Sequence, residues 1–280
     1  MLIGMAKDAL ARRLRFAPPD PKNDEIIYPQ EADLEQWAAI SRHGPLPISY
    51  LAYFGGRKSN ANLQRRYTRF YHHGWLTRPP RQYASFHARY SPLVYDLSPK
   101  AKGELGASAC SHPPSRTAPF VHQLMQACFT ASLELAYGAA FLSREKIIEA
   151  KTLAIDVEGG KVIPDDVFAI KLQDNKKRFF LLEIDRNTES IERSTGSYNT
   201  WKKKVADYDK AMAGALKRAW GIPRATVLVI TTNETHAANI RDYVNANSRF
   251  ADRWHFGVQE TFGANWRTPK PLLKVELPLG

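Results

Sequence analysis

VIPDDVFAIKLQDNKKRFFLLEIDRN, residues 162–187, decides how the rest of the chain is read. Two apolar runs, VFAIKL and KRFFLLEID, flank the polar turn QDNKK. Short apolar runs bounded by turn residues predict two strands joined as a hairpin. Such a hairpin sets Asp165 and Asp166, at the start of the first run, beside Glu183 and Asp185, at the end of the second. Glu183 and Asp185 are two residues apart, so an extended chain turns both toward one face of the sheet. Strand ends are often acidic because they meet solvent, and Asp166 and Asp174 read that way. Asp165, Glu183 and Asp185 predict instead a convergent site. Three carboxylates repel one another unless a cation lies between them. Hard oxygen ligands suit Mg²⁺, which is typically held by one or two carboxylates plus substrate phosphate; Mn²⁺ is the alternative ion. Such an ion activates water and stabilises charge on a transferring phosphoryl group.

The flanking sequence predicts the sheet that would carry this site. HQLMQACFTASLELAYGAAF (122–141) repeats Leu124, Cys128, Ala131, Leu135 and Ala139 at helical spacing, with Glu134 as its single acid. KTLAIDV is a further apolar run before the hairpin. After it come a lysine-rich helix, YNTWKKKVADYDKAMAGALKRAWG, and ATVLVITT, an apolar run typical of a strand buried on both faces. HAANIRDYVNAN predicts a last helix and WHFGVQETF a last strand. The order α, β, β, β, α, β, α, β demands a mixed sheet with helices on both sides, an α/β (α+β) domain.

Composition bounds the partners. The 280 residues carry a formal net charge of +12, with 44% hydrophobic and 11% aromatic residues. That is a globular chain with a preference for polyanions, of which nucleic acid is the commonest. No apolar run approaches the ~18–20 residues of a spanning helix, so no membrane partner is expected. Cys110 and Cys128 are too few for a disulfide framework and suggest a reducing compartment. The start, MLIGMAKDALARRLRF, lacks the apolar core and cleavage site of a secretory signal and reads as a basic arm. A cytoplasmic protein, associated with nucleoid or plasmid, is expected. No nucleophile elbow and no glycine-rich phosphate loop of the nucleotide-binding kind occurs.

Proline-rich stretches APPDPKND (17–24) and SHPPSRTAP (111–119) divide the chain. The expected organisation is an arm (1–24), a first domain (25–108), a linker (109–119) and the α/β domain (120–280). In the first domain, Asp33 is expected to cap a helix whose Leu34, Trp37, Ala38 and Ile40 face inward. PISYLAYFGG predicts a second short helix. A third runs through NANLQRRYTRFYHHG, with Leu63, Tyr67, Phe70 and Tyr71 on one face. Two extended runs follow, around QYASF and LVYDL, then a helical turn after Ser98. Between 31 and 105, eleven basic residues stand against five acids, half the net excess of the chain.

Three helices, the arginine pair Arg65 and Arg66, the exit Gly74, Trp75, Leu76 and a tyrosine-bearing wing resemble the winged helix-turn-helix family. The resemblance implies that the third helix enters the major groove of double-stranded DNA. Lys58, Asn60 and Asn62 would then lie near bases, and Arg65, Arg66 and Arg69 would hold phosphates. The same module also serves protein contact in other proteins, and a homodimer is one option it leaves open.

Pro164-Asp165 followed by Glu183 resembles the PD-(D/E)xK restriction-endonuclease-like superfamily. The third position departs, because Asp185 stands where its lysine belongs, with Arg186 after it. Some members recruit that lysine from the following helix, where Lys202, Lys203 and Lys204 lie; Lys203 is the expected one, with Lys204 its neighbour. Glu134 could supply the extra acid that this superfamily often places on its first helix. The whole array is similar to the plasmid replication-relaxation family and to related mobilisation relaxases. That resemblance implies nicking or relaxation of plasmid DNA, with Asp165 and Glu183 holding Mg²⁺ or Mn²⁺ and Asp185 a further ligand or an orienter of water. The alternative is a transcriptional or replication regulator whose nuclease-like domain is inactive, a reading that the absent lysine favours. Tyr198 and Tyr208 read as packing residues.

Overall fold

A computed structural model describes residues 6–7, 13–14, 18–21, 26–56, 61–83, 93–110, 119–150, 152–186, 191, 200–262 and 270–279. Of the basic arm it shows Ala6–Lys7 paired antiparallel with Arg13–Leu14. Lys58, Asn60, Tyr198 and most of the QYASF run lie outside the described residues. The chain divides into two compact units. One is Met1–Ala136 with Trp266–Val275, the other Tyr137–Asn265 with Glu276–Gly280.

The first unit contains α1 (Glu31–His43), β1 (Leu46–Pro47), α2 (Ile48–Phe54), α3 (Ala61–His72), β2 (Leu76–Thr77), β3 (Val94–Leu97), α4 (Pro99–Leu105) and α5 (Phe120–Tyr137). The three strands form an antiparallel sheet in the order β1-β3-β2. Asp33 is not the N-cap of α1. It sits in the first turn and accepts from the Gln30 backbone N–H at 2.8 Å. Trp37 and Ile40 are buried as expected, whereas Ala39 replaces Ala38 on the inner side. All four expected apolar residues of α3 are buried. Trp37 packs edge-on against Phe70, with ring centroids 5.0 Å apart, and lies 5.6 Å from Trp75.

The first strand of the expected pair comes earlier than the sequence suggested, at Leu76–Thr77. Gln82 and Tyr83 lie instead on a 3-10 turn, Pro80–Tyr83. Pro79 and Pro80 cannot donate to a ladder. The buried Gln82 amide makes the bridge: it donates to Val94 O at 3.0 Å and accepts from Val94 N at 3.1 Å. Helix α5, expected to open the second domain, is counted with the first unit. Arg42 and His43 at the end of α1 both bond its Glu134, and Leu272 N donates to its Ser132. It is buried on every side from Leu124 to Leu133, not along one stripe. Leu135 is half-buried and Ala139 exposed.

The second unit contains β4 (Phe141–Leu142), β5 (Ile155–Val157), β6 (Gly160–Val162), β7 (Asp166–Lys171), β8 (Lys177–Asp185), α6 (Trp201–Lys210), α7 (Leu216–Trp220), β9 (Ala225–Thr231), α8 (Glu234–Asn247) and β10 (Trp254–Val258). Its mixed sheet runs β10-β9-β8-β7-β4. Strands β8, β9 and β10 are parallel; β7 and β4 run antiparallel to their neighbours. The chain is thus α+β with a mixed sheet, as the element order demanded. Within it, β7 and β8 form the expected hairpin, with Leu182 opposite Asp166. Asp174 and Asn175 take the turn at φ 65 and 59, a left-handed conformation that Asp and Asn tolerate.

Three details differ from the sequence expectation. The run KVIPDDVFAIKL is two strands, because Pro164 has no N–H with which to continue a ladder. Its first part joins Ile155–Val157 in a separate two-stranded hairpin. The fifth sheet position is filled by Phe141–Leu142, too short to show periodicity. The lysine-rich helix is interrupted by a π-turn at Ala211–Ala215, where Gly214 has φ 152.

Burial on the two sheet faces explains where the acids point. Leu181, Val227 and Val229 pack with Trp201, Val205 and Tyr208 of α6 and Ile240 and Val244 of α8. On the other face Phe180 stacks on Phe168 at 4.9 Å, and Phe168 on Phe141 at 5.7 Å. Glu183 and Asp185 alternate in step with Leu181, so both project toward the α6 and α8 side.

Helices α1 and α2 meet at Gly55. A Cβ there would lie 2.5 Å from the Gln36 side-chain nitrogen and 2.9 Å from the Ala32 carbonyl oxygen. Gly55→Ala is therefore expected to lower stability by about 1–3 kcal/mol in chemical denaturation. Gly103→Ala, in open space within α4, should raise it by about 0.5–1 kcal/mol. Equal effects of the two substitutions would contradict this packing.

Candidate functional site

The register of the β7–β8 hairpin places Asp165 beside the end of β8. Its backbone N–H donates to Leu182 O at 2.9 Å, and its carboxylate accepts from Ile184 N at 2.7 Å. Glu183, between those two residues, is 3% exposed and turned to α6. Lys204 donates to one of its oxygens at 2.7 Å and the Tyr208 hydroxyl to the other at 2.5 Å. Thr200 caps α6 by accepting from Lys203 N, and residues 201, 204, 205 and 208 form the inner face of that helix.

A cavity of about 580 Å³ opens here, lined by Lys161, Asp165, Glu183, Lys203, Lys204 and Tyr208 among others. Burial pushes the Glu183 carboxyl up to about 7; the Lys204 ammonium opposes that shift and the neighbouring Asp165 adds to it. Glu183 thus faces the Lys204 ammonium and the Asp165 carboxylate, while Asp207 and Lys203 form their own pair in the same lining.

The three expected acids do not all converge. Asp185, 1% exposed, stands apart from the cavity lining. Its carboxylate bonds Trp201 Nε1 and His236 Nε2, each at 2.8 Å. One residue pair along a strand covers roughly 6.6 Å, which carries its side chain past the cavity to the N-terminus of α8. Asp166 is not a solvated strand end either: it is buried and 3.1 Å from Arg144. Lys203 lines the cavity but pairs with Asp207, so Lys204 is the lysine that meets Glu183. Among the described residues, no group of three His, Cys, Asp or Glu side chains is placed to share a metal ion. Glu134 belongs to the first unit. Burial would raise its carboxyl, but His43 and Arg42 outweigh burial and hold it at about 2.

Tyr208 packs in the core as expected and in addition bonds Glu183, while His236 is a partner of Asp185 that the sequence does not announce. The i, i+4 spacing of Lys204 and Tyr208 was the available signal, since such residues share a helix face. His236 carried none, because only the sheet brings it to Asp185.

In the first unit, Asn62 and Arg65 are exposed on α3, away from its buried face. Arg66 is committed elsewhere: it pairs with the fully buried Asp33 and donates to Tyr28 O. Arg69 is half-buried. Arg78 spans Tyr71 and Tyr95 with its guanidinium 4.2 and 5.3 Å from the ring centroids. Among the described residues no helix is long and apolar enough to cross a membrane.

No curated protein and no solved structure matches the chain. A family model described as replication-relaxation matches residues 38–224. That span takes in the basic helix α3, Asp165 and Glu183, and Lys204 and Tyr208 of α6, well over half of the 280 residues. The chain therefore belongs to the replication-relaxation family.

Proposed function

We propose that this protein binds double-stranded DNA of a plasmid or other mobile element and nicks it in a metal-dependent reaction. One observation carries the reading: Asp165 and Glu183, from adjacent strands, share a single cavity with Lys204 bonded to Glu183. The helices and three-stranded sheet of the first unit act as a winged helix-turn-helix, and the second unit is of the PD-(D/E)xK kind.

Asp165 and Glu183 would hold Mg²⁺ or Mn²⁺. The donor set suits such an ion: two hard carboxylates, one of them deeply buried, in a space roomy enough for a phosphate. The ion would supply Lewis acidity at a phosphoryl oxygen and an activated water. Lys204 supplies the positive charge that the superfamily's lysine would have provided from the strand. It both orients Glu183 and faces an entering phosphate. Lys161 and Lys203 at the same cavity add attraction for the DNA backbone. Arg65 and Arg69 on α3 neutralise phosphates, whereas Arg66 maintains the fold.

A second reading has one observation in its favour. Both oxygens of Glu183 are already bonded, to Lys204 and Tyr208, which suits an inactive domain that clamps DNA in a replication or transcription regulator. Supercoiled DNA carrying the protein's own upstream region separates the two. With Mg²⁺ or Mn²⁺ the wild type should produce nicked circles, and Glu183→Ala and Lys204→Ala should lose at least about 100-fold in rate. Tight binding without cleavage by the wild type would establish the regulator instead.

The two arginines of α3 should separate by assay. Arg65→Ala is expected to reduce the salt slope of DNA binding by about 1 without changing stability. Arg66→Ala removes the only ion pair described for the buried Asp33, leaving the Gln30 N–H as its described donor, and should cost about 2–4 kcal/mol in denaturation, less than a fully buried pair because Arg66 is partly exposed. A stable Arg66→Ala with weakened DNA binding would reverse these roles.

Glu183 also sets a pH dependence. Its carboxyl is raised in the folded state, so its favourable contribution is complete below the unfolded value of about 4.5 and is lost as pH rises through about 7. Melting temperature should therefore fall from pH 5 to pH 8 more steeply in the wild type than in Glu183→Gln. Added Mg²⁺ should restore part of that loss at pH 8 in the wild type only; an identical response in both proteins would remove Glu183 from the metal site.

A further inference from the structure

The second unit keeps its large apolar side chains inside, with one exception. Among its described residues Ile163 is the one left exposed, at 55%. Single exposed apolar residues are ordinary on a protein surface. This one stands in the lining of the acid cavity, together with Lys161, Asp165, Glu183, Lys203 and Lys204.

Burial alternates along the stretch that carries it. Val162 and Pro164 are buried, Lys161 and Ile163 exposed, and Asp165 half-buried. Alternation marks an extended chain, and Pro164 disfavours a helical conformation at the residue before it. Lys161, Ile163 and Asp165 therefore follow one another on the open side. An extended chain advances about 6.6 Å per two residues, and a stacked DNA strand about 3.4 Å per nucleotide. Ile163 thus falls within about two nucleotide steps of a phosphate held at Asp165, and Lys161 about two steps farther on.

The row is fixed before any ligand arrives. Val162 packs in the core opposite its register partner Ile155, and the Asp165 N–H donates to Leu182 O at 2.9 Å. The turn of the β5–β6 hairpin is seated on α6. Lys210 donates to Glu158 O at 2.7 Å, and a Cβ on Gly160 would lie 3.4 Å from the Lys203 ammonium nitrogen. A side chain presented from so rigid a mount costs little ordering entropy when it binds.

We propose that Ile163 is an apolar wedge, which enters the base stack beside the phosphate held at Asp165 and partly unstacks that step while Lys161 holds a neighbouring phosphate. This rests on the reading above that the cavity takes DNA. Isoleucine, leucine and methionine serve as such wedges in proteins that kink a duplex. The site has a use for one. Glu183 is 3% exposed, so a phosphate comes close to it only by leaving the smooth path of the duplex backbone. Opening one step supplies that displacement.

Unwinding is measurable without cleavage. Relaxed closed circles are incubated with the full-length protein and a metal-independent topoisomerase in EDTA, then deproteinised, and the linking number is read on a gel. At saturation, with occupancy checked by mobility shift, the wild type should leave underwound circles. At equal occupancy Ile163→Ala should lose about half or more of that change, and Ile163→Leu should retain it. The melting temperature should stay unchanged in both, because the side chain is exposed. Nicking in Mg²⁺ is the second readout. Ile163→Ala should fall at least about threefold further on relaxed circles than on negatively supercoiled ones, because supercoiling itself favours open steps. A wild-type linking change in Ile163→Ala, or none in the wild type at full occupancy, would overturn the wedge and leave the nicking proposal standing. Unwinding by the wild type without nicking would keep the wedge and remove the nuclease. Failure of the wild type to bind DNA would take down both.

Discussion

The second unit is organised around carboxylates at the end of an apolar strand. From Phe180 to Asp185 every residue of β8 is buried, including Glu183 and Asp185. Burying a carboxylate without partners is far costlier than burying the leucines beside it gains. The fold therefore has to bring donors to these two positions. Helix α6 brings Lys204 and Tyr208 to Glu183 and Trp201 to Asp185; α8 brings His236. The inner face of α6 is fixed as much by these polar partners as by its packing on the sheet.

The same economy operates in the first unit. Asp33 is completely buried and is satisfied by Arg66 and by the Gln30 backbone. Gln36 and Gln82 are also buried, and each holds two elements together. Glu134 is held by Arg42 and His43. These contacts commit charged residues to the fold, so not every basic residue of α3 and its neighbours faces solvent. Arg65 and Arg66 adjoin in sequence and point to different tasks.

Much of the fold was legible. Helix α3 and its four buried residues followed from spacing, because an amphipathic helix writes its period into the chain. The β7–β8 hairpin and the opposition of Asp165 and Glu183 followed from two apolar runs and a polar turn. What escaped was of another kind. Leu46–Pro47, Leu76–Thr77 and Phe141–Leu142 are strands of two residues, too brief for any period to show. Asp33 and Asp166 read as a cap and a solvated end because their partners, Arg66 and Arg144, are distant in sequence. The single lysine-rich helix became two around Gly214, where a π-turn absorbs an extra residue.

The sequence by itself determined that this is a basic, two-part α+β protein of the replication-relaxation kind, with Asp165 and Glu183 side by side. Composition, apolar period and hairpin register are local properties, and they survive without knowledge of the packing. Only the tertiary structure decided which lysine meets Glu183, that Tyr208 bonds the same carboxylate, and that Asp185 turns from the cavity to His236. Those pairings join residues 21 to 51 positions apart. A buried carboxylate takes whatever donor the packed helices bring within reach, and that choice is made by geometry, not by the neighbouring letters.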